Sequence, residues 1–126
     1  MKIPPYYLIR RFFILEKQKQ IKIGSFYKAY GGPAHPSLVY FYDKNHKTYL
    51  SIKFGTSKSR HMTEIHPIQN GCDKGFVRNR PFEGTRNDYG EELFGLSVNP
   101  KDLNIIEIIK TKKPDRSKRA RQRYKK

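Results

Sequence analysis

The stretch Lys53-Phe54-Gly55-Thr56-Ser57-Lys58-Ser59-Arg60-His61 gathers cations, hydroxyls and an imidazole within nine residues. Those groups suit the scission of RNA without a metal. The strand's own 2′-hydroxyl attacks the adjacent phosphorus once a base removes its proton. Donors then stabilise the crowded phosphorane, and an acid protonates the leaving 5′-oxygen. Imidazole carries protons near neutral pH, and guanidinium grips two phosphate oxygens at once. A second cluster centres on His35, which follows Gly31-Gly32-Pro33, where a backbone without side chains can approach a ligand closely. A third, "FVRNRPFEGTRNDYG", supplies Arg78, Arg80, Arg86 and Tyr89, a mixture of guanidinium and aromatic groups suited to single-stranded RNA. Plainer readings stand beside these. Thr56 and Ser57 also suit the cap of a turn, and His35 a bond to a backbone carbonyl.

Metal chemistry is not expected. A two-metal nuclease needs carboxylates converging on one point, and the 11 acidic residues are scattered. His61, His66 and Cys72 match no usual zinc spacing. No cofactor is implied. Cys72 is the single cysteine, which excludes an intramolecular disulfide and fits a reducing cytosol. No run approaches the ~20 apolar residues that cross a bilayer. Arg10 and Arg11 interrupt the apolar N-terminal run, so no secretory signal is read there and a cytoplasmic location is expected.

Charge points to the partner. The 126 residues carry a formal charge of +16, a field that repels itself unless a polyanion relieves it. Residues 110–126, "KTKKPDRSKRARQRYKK", hold ten Lys or Arg against one Asp, a local +9 that leaves +7 to the rest of the chain. Arg116, Lys118, Arg119, Arg121 and Arg123 are expected to track phosphates without reading sequence, with Lys53 and Lys58 adding to them. The segment after Pro114 is expected to be disordered unless its charge is neutralised, and then helical.

The elements that must position these groups can be read coarsely. Residues 1–110 form one domain and 111–126 a basic tail. Leu8, Ile9, Phe12, Phe13 and Leu15 recur at helical spacing, which predicts a helix over roughly 5–19, while the aromatic and branched residues of "YYLI" and "FFIL" also suit strands. "IKIGSFYKAY", "SLVYFYD" and "TYLSIKF" read as strands, the last two joined by a turn over Asp43-Lys44-Asn45-His46-Lys47. Alternation puts Leu50, Ile52 and Phe54 on one face of a half-buried strand, and Tyr49, Ser51 and Lys53 on the other. Tyr40 and Tyr42 read as sheet packing on one face. "GFVRNR" and "LFGLSV" are shorter strand candidates. Asn99-Pro100-Lys101-Asp102 opens a helix whose apolar face is Leu103, Ile106 and Ile109, flanked by Ile105 and Ile108.

"IGSFYKAYGGPAHPSLVYFYD" followed by "TYLSIKFGTSKS" resembles the toxin ribonucleases of MazF/PemK/Kid type, and "YLSIKFGTSKSRH" is similar to their ToxN/AbiQ branch. The resemblance covers roughly residues 21–65. It implies an α+β fold, a small twisted antiparallel β-barrel of SH3-like form with peripheral N- and C-terminal helices. It also implies a metal-independent endoribonuclease of a toxin–antitoxin system that cuts single-stranded RNA. Thr56 and Ser57 match the family's active-site pair, and Lys58 or Arg60 its basic companion. His35-Pro36 stands where the MazF pattern has Arg-Pro, and the Pro that follows the pair in the ToxN branch is absent. The partners implied are an RNA substrate, a cognate antitoxin of RNA or protein (the charge favours RNA) and a second copy of the chain.

The mechanism expected has His35 or His61 as base, Arg60 and Lys58 on the phosphate, and Thr56 and Ser57 donating to its oxygens. Arg78, Arg80 and Tyr89 hold flanking nucleotides. The rivals are a non-catalytic RNA-binding barrel and a DNA-binding accessory protein. The second lacks a helix-turn-helix signature.

Overall fold

The computed structural model describes residues 20–29 and 35–125. The helix expected over 5–19 and the Gly31-Gly32-Pro33 loop lie outside them. Among the described residues the architecture is α+β, with eight strands in one sheet that does not close on itself, and two helices.

The centre of the sheet is the hairpin of β2 (Pro36–Asp43) and β3 (Thr48–Gly55). Its turn forms as the sequence suggests. The Asp43 carboxylate accepts from the Asn45 and His46 N–H groups at 2.9 and 3.2 Å, and Lys47 takes the positive φ of 55°. β1 (Phe26–Ala29) pairs with the outer edge of β2, and β7 (Tyr89–Leu93) with β1. The other edge of β3 is shared. Tyr49–Ser51 pair with β6 (Phe82–Gly84), and Phe54–Gly55 pair with β5 (Gly75–Arg78), which carries β4 (Met62–Ile65) beyond it. Ile52 and Lys53 fall where β6 and β5 part. A single 3-10 turn over Arg86–Asp88 joins β6 to β7.

β3 is buried on both faces, not one. Ile52 and Phe54 pack with Phe26, Ile65, Val77, Ile106 and Ile109 in the larger core. Tyr49 packs on the opposite side with Ile21, Tyr27, Val39 and Tyr89. A bulge in β2 between Val39 and Phe41 separates Tyr40 from Tyr42, so the two tyrosines expected on one face serve different clusters.

"GFVRNR" gives β5 as expected. "LFGLSV" gives no strand of its own. β7 ends at Leu93, Phe94 is 79% exposed, and Gly95 turns the chain at φ +80°. Asn99 opens the next helix by accepting from the Lys101 N–H at 2.9 Å; a 3-10 turn then leads into α1 (Leu103–Lys110). Ile106 and Ile109 are buried, whereas Leu103 and Ile108 are half exposed, so its apolar face is narrower than the sequence suggests. Among the described residues no helix is long and apolar enough to cross a membrane.

The basic tail is ordered. β8 (Asp115–Arg116) runs parallel to β6, and α2 (Lys118–Tyr124) begins at Ser117, whose hydroxyl accepts from the Ala120 N–H at 3.0 Å. The neutralising charge comes from within the protein. Buried Glu83 receives Arg116 Nε at 2.9 Å and the Tyr124 hydroxyl at 2.6 Å. Buried Asp88 receives the Ser117 hydroxyl at 2.6 Å and Arg119 at 3.0 Å. Tyr124 stacks on His46, with ring centroids 3.8 Å apart, and carries the Arg116 guanidinium over its face.

Candidate functional site

Lys53 lies at the parting of β5 and β6, on the sheet face that also carries Ser37 and Ser51. Only 9% of it is exposed. Its ammonium sits 3.8 Å from the centroid of the Phe82 ring, and it makes no hydrogen bond or ion pair among the described residues. Burial pushes its pKa down, Arg78 adds to the fall, and Asp88 and Asp115 oppose it. A desolvated cation without a counter-ion is costly, and a cation–π contact offsets part of that cost.

The register brings two further groups to this ammonium. Phe54 pairs with Val77, so one step back sets Lys53 beside Arg78. Ser37 pairs with Lys53, so two steps on set His35 beside Gly55. A Cβ at Gly55 would lie 3.5 Å from His35 Nδ1 and 3.2 Å from the Met62 methyl, so glycine is what lets the imidazole close on the strand. Burial lowers the pKa of His35 first, and the charges of Lys53 and Arg78 lower it further. The imidazole is therefore neutral at neutral pH and able to take a proton.

Arg78 also belongs to a groove of about 350 Å³, lined with His61, Asn79, Arg80 and Asp115. It thus connects the His35–Lys53 pair to His61. Among the described residues, no three His, Cys, Asp or Glu side chains gather as metal ligands do.

The remaining expected site residues divide. Thr56, Ser57, Lys58 and Arg60 are exposed on the loop after β3. Thr56 opens on a separate cleft of about 50 Å³ with Pro36, Ile68, Cys72 and Leu96, not on the groove. Tyr89 cannot stack on a base. It is 3% exposed, and its hydroxyl is shared with Ser51 at 2.9 Å inside the second core. Arg86 is drawn into the fold by donating to the Tyr89 carbonyl at 3.0 Å. Arg116 and Arg119 are committed to Glu83 and Asp88. Lys118, Arg121 and Arg123 stay exposed without an ion pair among the described residues.

Comparison with protein-family models, curated proteins and solved structures returns no match. The geometry therefore carries the functional reading. Three contributors escaped the sequence reading: Phe82, Asn79 and Asp115. Asp115 had a signal, as the one acid in a run of ten cations. Phe82 and Asn79 stood within the Arg-rich stretch, but nothing there marks which neutral side chains face a cation.

Proposed function

We propose that this protein is an endoribonuclease that cuts single-stranded RNA without a metal, through attack of the 2′-hydroxyl on the adjacent phosphodiester. The observation that carries this reading is the buried Lys53 ammonium, without an ion pair among the described residues, near Arg78 and close enough to the His35 imidazole to lower its pKa. A phosphodiester is the anion that such a site lacks. His35 accepts the proton of the 2′-hydroxyl as the new O–P bond forms. Lys53 and Arg78 carry the charge that builds on the phosphorane oxygens. His61, on the groove that Arg78 shares, gives a proton to the leaving 5′-oxygen as the P–O bond breaks. The products are a 2′,3′-cyclic phosphate and a 5′-hydroxyl. Thr56, Ser57, Lys58 and Arg60 meet the neighbouring nucleotides, and Lys118, Arg121 and Arg123 hold the strand farther out.

The strand run β7-β1-β2-β3-β6, with the two ends of the run joined by the 3-10 turn, supports reading the sheet as a relative of the MazF/PemK/Kid-type, SH3-like barrel. On that reading the enzyme is the toxin of a toxin–antitoxin system. It works in the cytoplasm, can pair with a second copy, and its antitoxin is an RNA before it is a protein, because the charge favours a polyanion.

The test is incubation of the protein with single-stranded RNA in EDTA. Wild type should yield cyclic-phosphate ends, and His35→Ala and Lys53→Met should each slow cleavage about 100-fold or more. Binding with no cleavage in any buffer would leave only an RNA-binding module. Full activity in both variants would remove the site.

A further inference from the structure

We propose that the groove between β5 and β8 is a guanine-reading pocket, in which the Asp115 carboxylate and the Asn79 amide select one base of the bound strand. The inference rests on the reading of the groove as an RNA site, and it names what that site prefers.

A groove that held phosphates alone would have no use for a carboxylate, which repels them. Asp115 nonetheless lines the groove with His61, Arg78 and Arg80. Its side chain makes no hydrogen bond or ion pair among the described residues. Its backbone is held on both sides. Its N–H donates to the Pro81 carbonyl at 2.9 Å, it stands opposite Phe82 in the parallel pairing, and the next residue is pinned to Glu83. Two acceptor oxygens thus line a cationic groove from a fixed backbone, acting on Lys53 through charge and making no hydrogen bond among the described residues.

Asn79 lines the same groove from β5's end. Its N–H donates to the His61 carbonyl at 2.9 Å, and its Oδ1 accepts from the Thr63 hydroxyl. The Nδ2 amino group remains as a donor. A pair of acceptors and a donor therefore line one volume of about 350 Å³, enough for a nucleobase.

Guanine is the base whose edge complements this set. Its N1–H and N2 amino donors lie side by side for one carboxylate, and its O6 can accept from Nδ2. Adenine turns the N1 lone pair towards the carboxylate. Cytosine sets the N3 lone pair beside its one amino group. Uracil flanks a single N–H with two carbonyl oxygens. Each of the three puts an acceptor against an acceptor, a mismatch that weakens binding relative to guanine. Arg78 and Arg80 then serve the phosphates on either side.

Fluorescence anisotropy on the full chain tests this. The probes are labelled oligouridines with one central guanine, adenine, cytosine or uracil, and with 2′-deoxy sugars at the central steps so that no scission competes. Wild type should bind the guanine probe about tenfold more tightly than the others. Asp115→Asn, which turns one acceptor into a donor, should bring guanine and adenine to within about twofold while leaving Tm unchanged. Equal affinity for all four probes in wild type overturns the proposal, as does a guanine preference that survives Asp115→Asn. A protein that prefers guanine yet cuts no RNA sinks the ribonuclease reading and keeps this one. Cleavage without base preference does the reverse.

Discussion

Lys53→Met separates function from stability at one atom. Lys53 is 9% exposed, has no ion pair among the described residues, and has Arg78 beside it. An ammonium taken out of water carries an effective penalty of several kcal/mol, and Phe82 returns about 0.5–2 kcal/mol of it. Methionine keeps most of the apolar stem and its contacts, so little packing is lost. The net change expected is a gain of about 1–3 kcal/mol, raising Tm by roughly 4–12 °C for a chain of this length. The same variant should lose RNA cleavage. Thermal and urea unfolding by circular dichroism read the first effect, and a cleavage assay the second. The gain should also shrink at high pH. Between the lowered folded pKa of Lys53 and its unfolded value of 10.5, the unfolded chain holds the extra proton, so wild-type stability rises with pH through that window. A variant less stable than wild type by 1 kcal/mol or more at pH 7 would refute the reasoning, because it would mean that the ammonium is satisfied in the folded protein.

Other outcomes follow from the same geometry. With His35 as base and its pKa held below 6.5 by burial, Lys53 and Arg78, the acid limb of kcat/KM should have its midpoint below pH 6.5; a midpoint above 6.5 rules out His35 in that role. Deleting residues 115–126 strips Glu83 of Arg116 and Tyr124, and Asp88 of Ser117 and Arg119. Glu83 then keeps Thr48 and Asp88 keeps Thr85 as donors, so the urea midpoint should fall and recover in part with Glu83→Gln and Asp88→Asn; an unchanged midpoint shows the tail to be dispensable. The Tyr40 hydroxyl is buried with no hydrogen-bond partner, and burial first, then Glu107 and Glu83, pushes its pKa up to about 12. Tyr40→Phe should therefore be neutral or stabilising by up to about 1 kcal/mol in urea unfolding, and a loss of that size would reveal a bonded hydroxyl.

What the sequence disclosed depended on how local each signal was. The hairpin of β2 and β3 was legible because two runs of β-branched and aromatic residues flank the polar stretch Asp43–Lys47, a property of neighbouring residues. α1 was legible for the same reason, through Asn99 and Pro100. β4, β6 and β8 run for only two to four residues, too short to show a period, and they exist because longer strands offer them an edge. The tail reads as disordered by composition. It folds because Glu83 and Asp88, about 30 positions upstream, draw it down. Tyr89 reads as a base-stacking residue for its arginine neighbours, yet its ring closes the second core. The proximity of His35 to the end of β3 follows from the pairing of β2 with β3. That of His61 to Arg78, and the seating of Thr56 on a different cleft, depends on how β5 and β4 lie across that end.

The parting of β5 and β6 along one edge of β3 has an evolutionary consequence. Lys53 belongs to β3, which is buried on both faces, and His35 closes on the end of that strand, so few substitutions are tolerated there. Asn79 and Asp115 sit on a short connection and an edge strand that contribute little to either core. If the groove reads bases as proposed, descendants of this chain are free to change which letters they recognise while inheriting the proposed reacting groups intact.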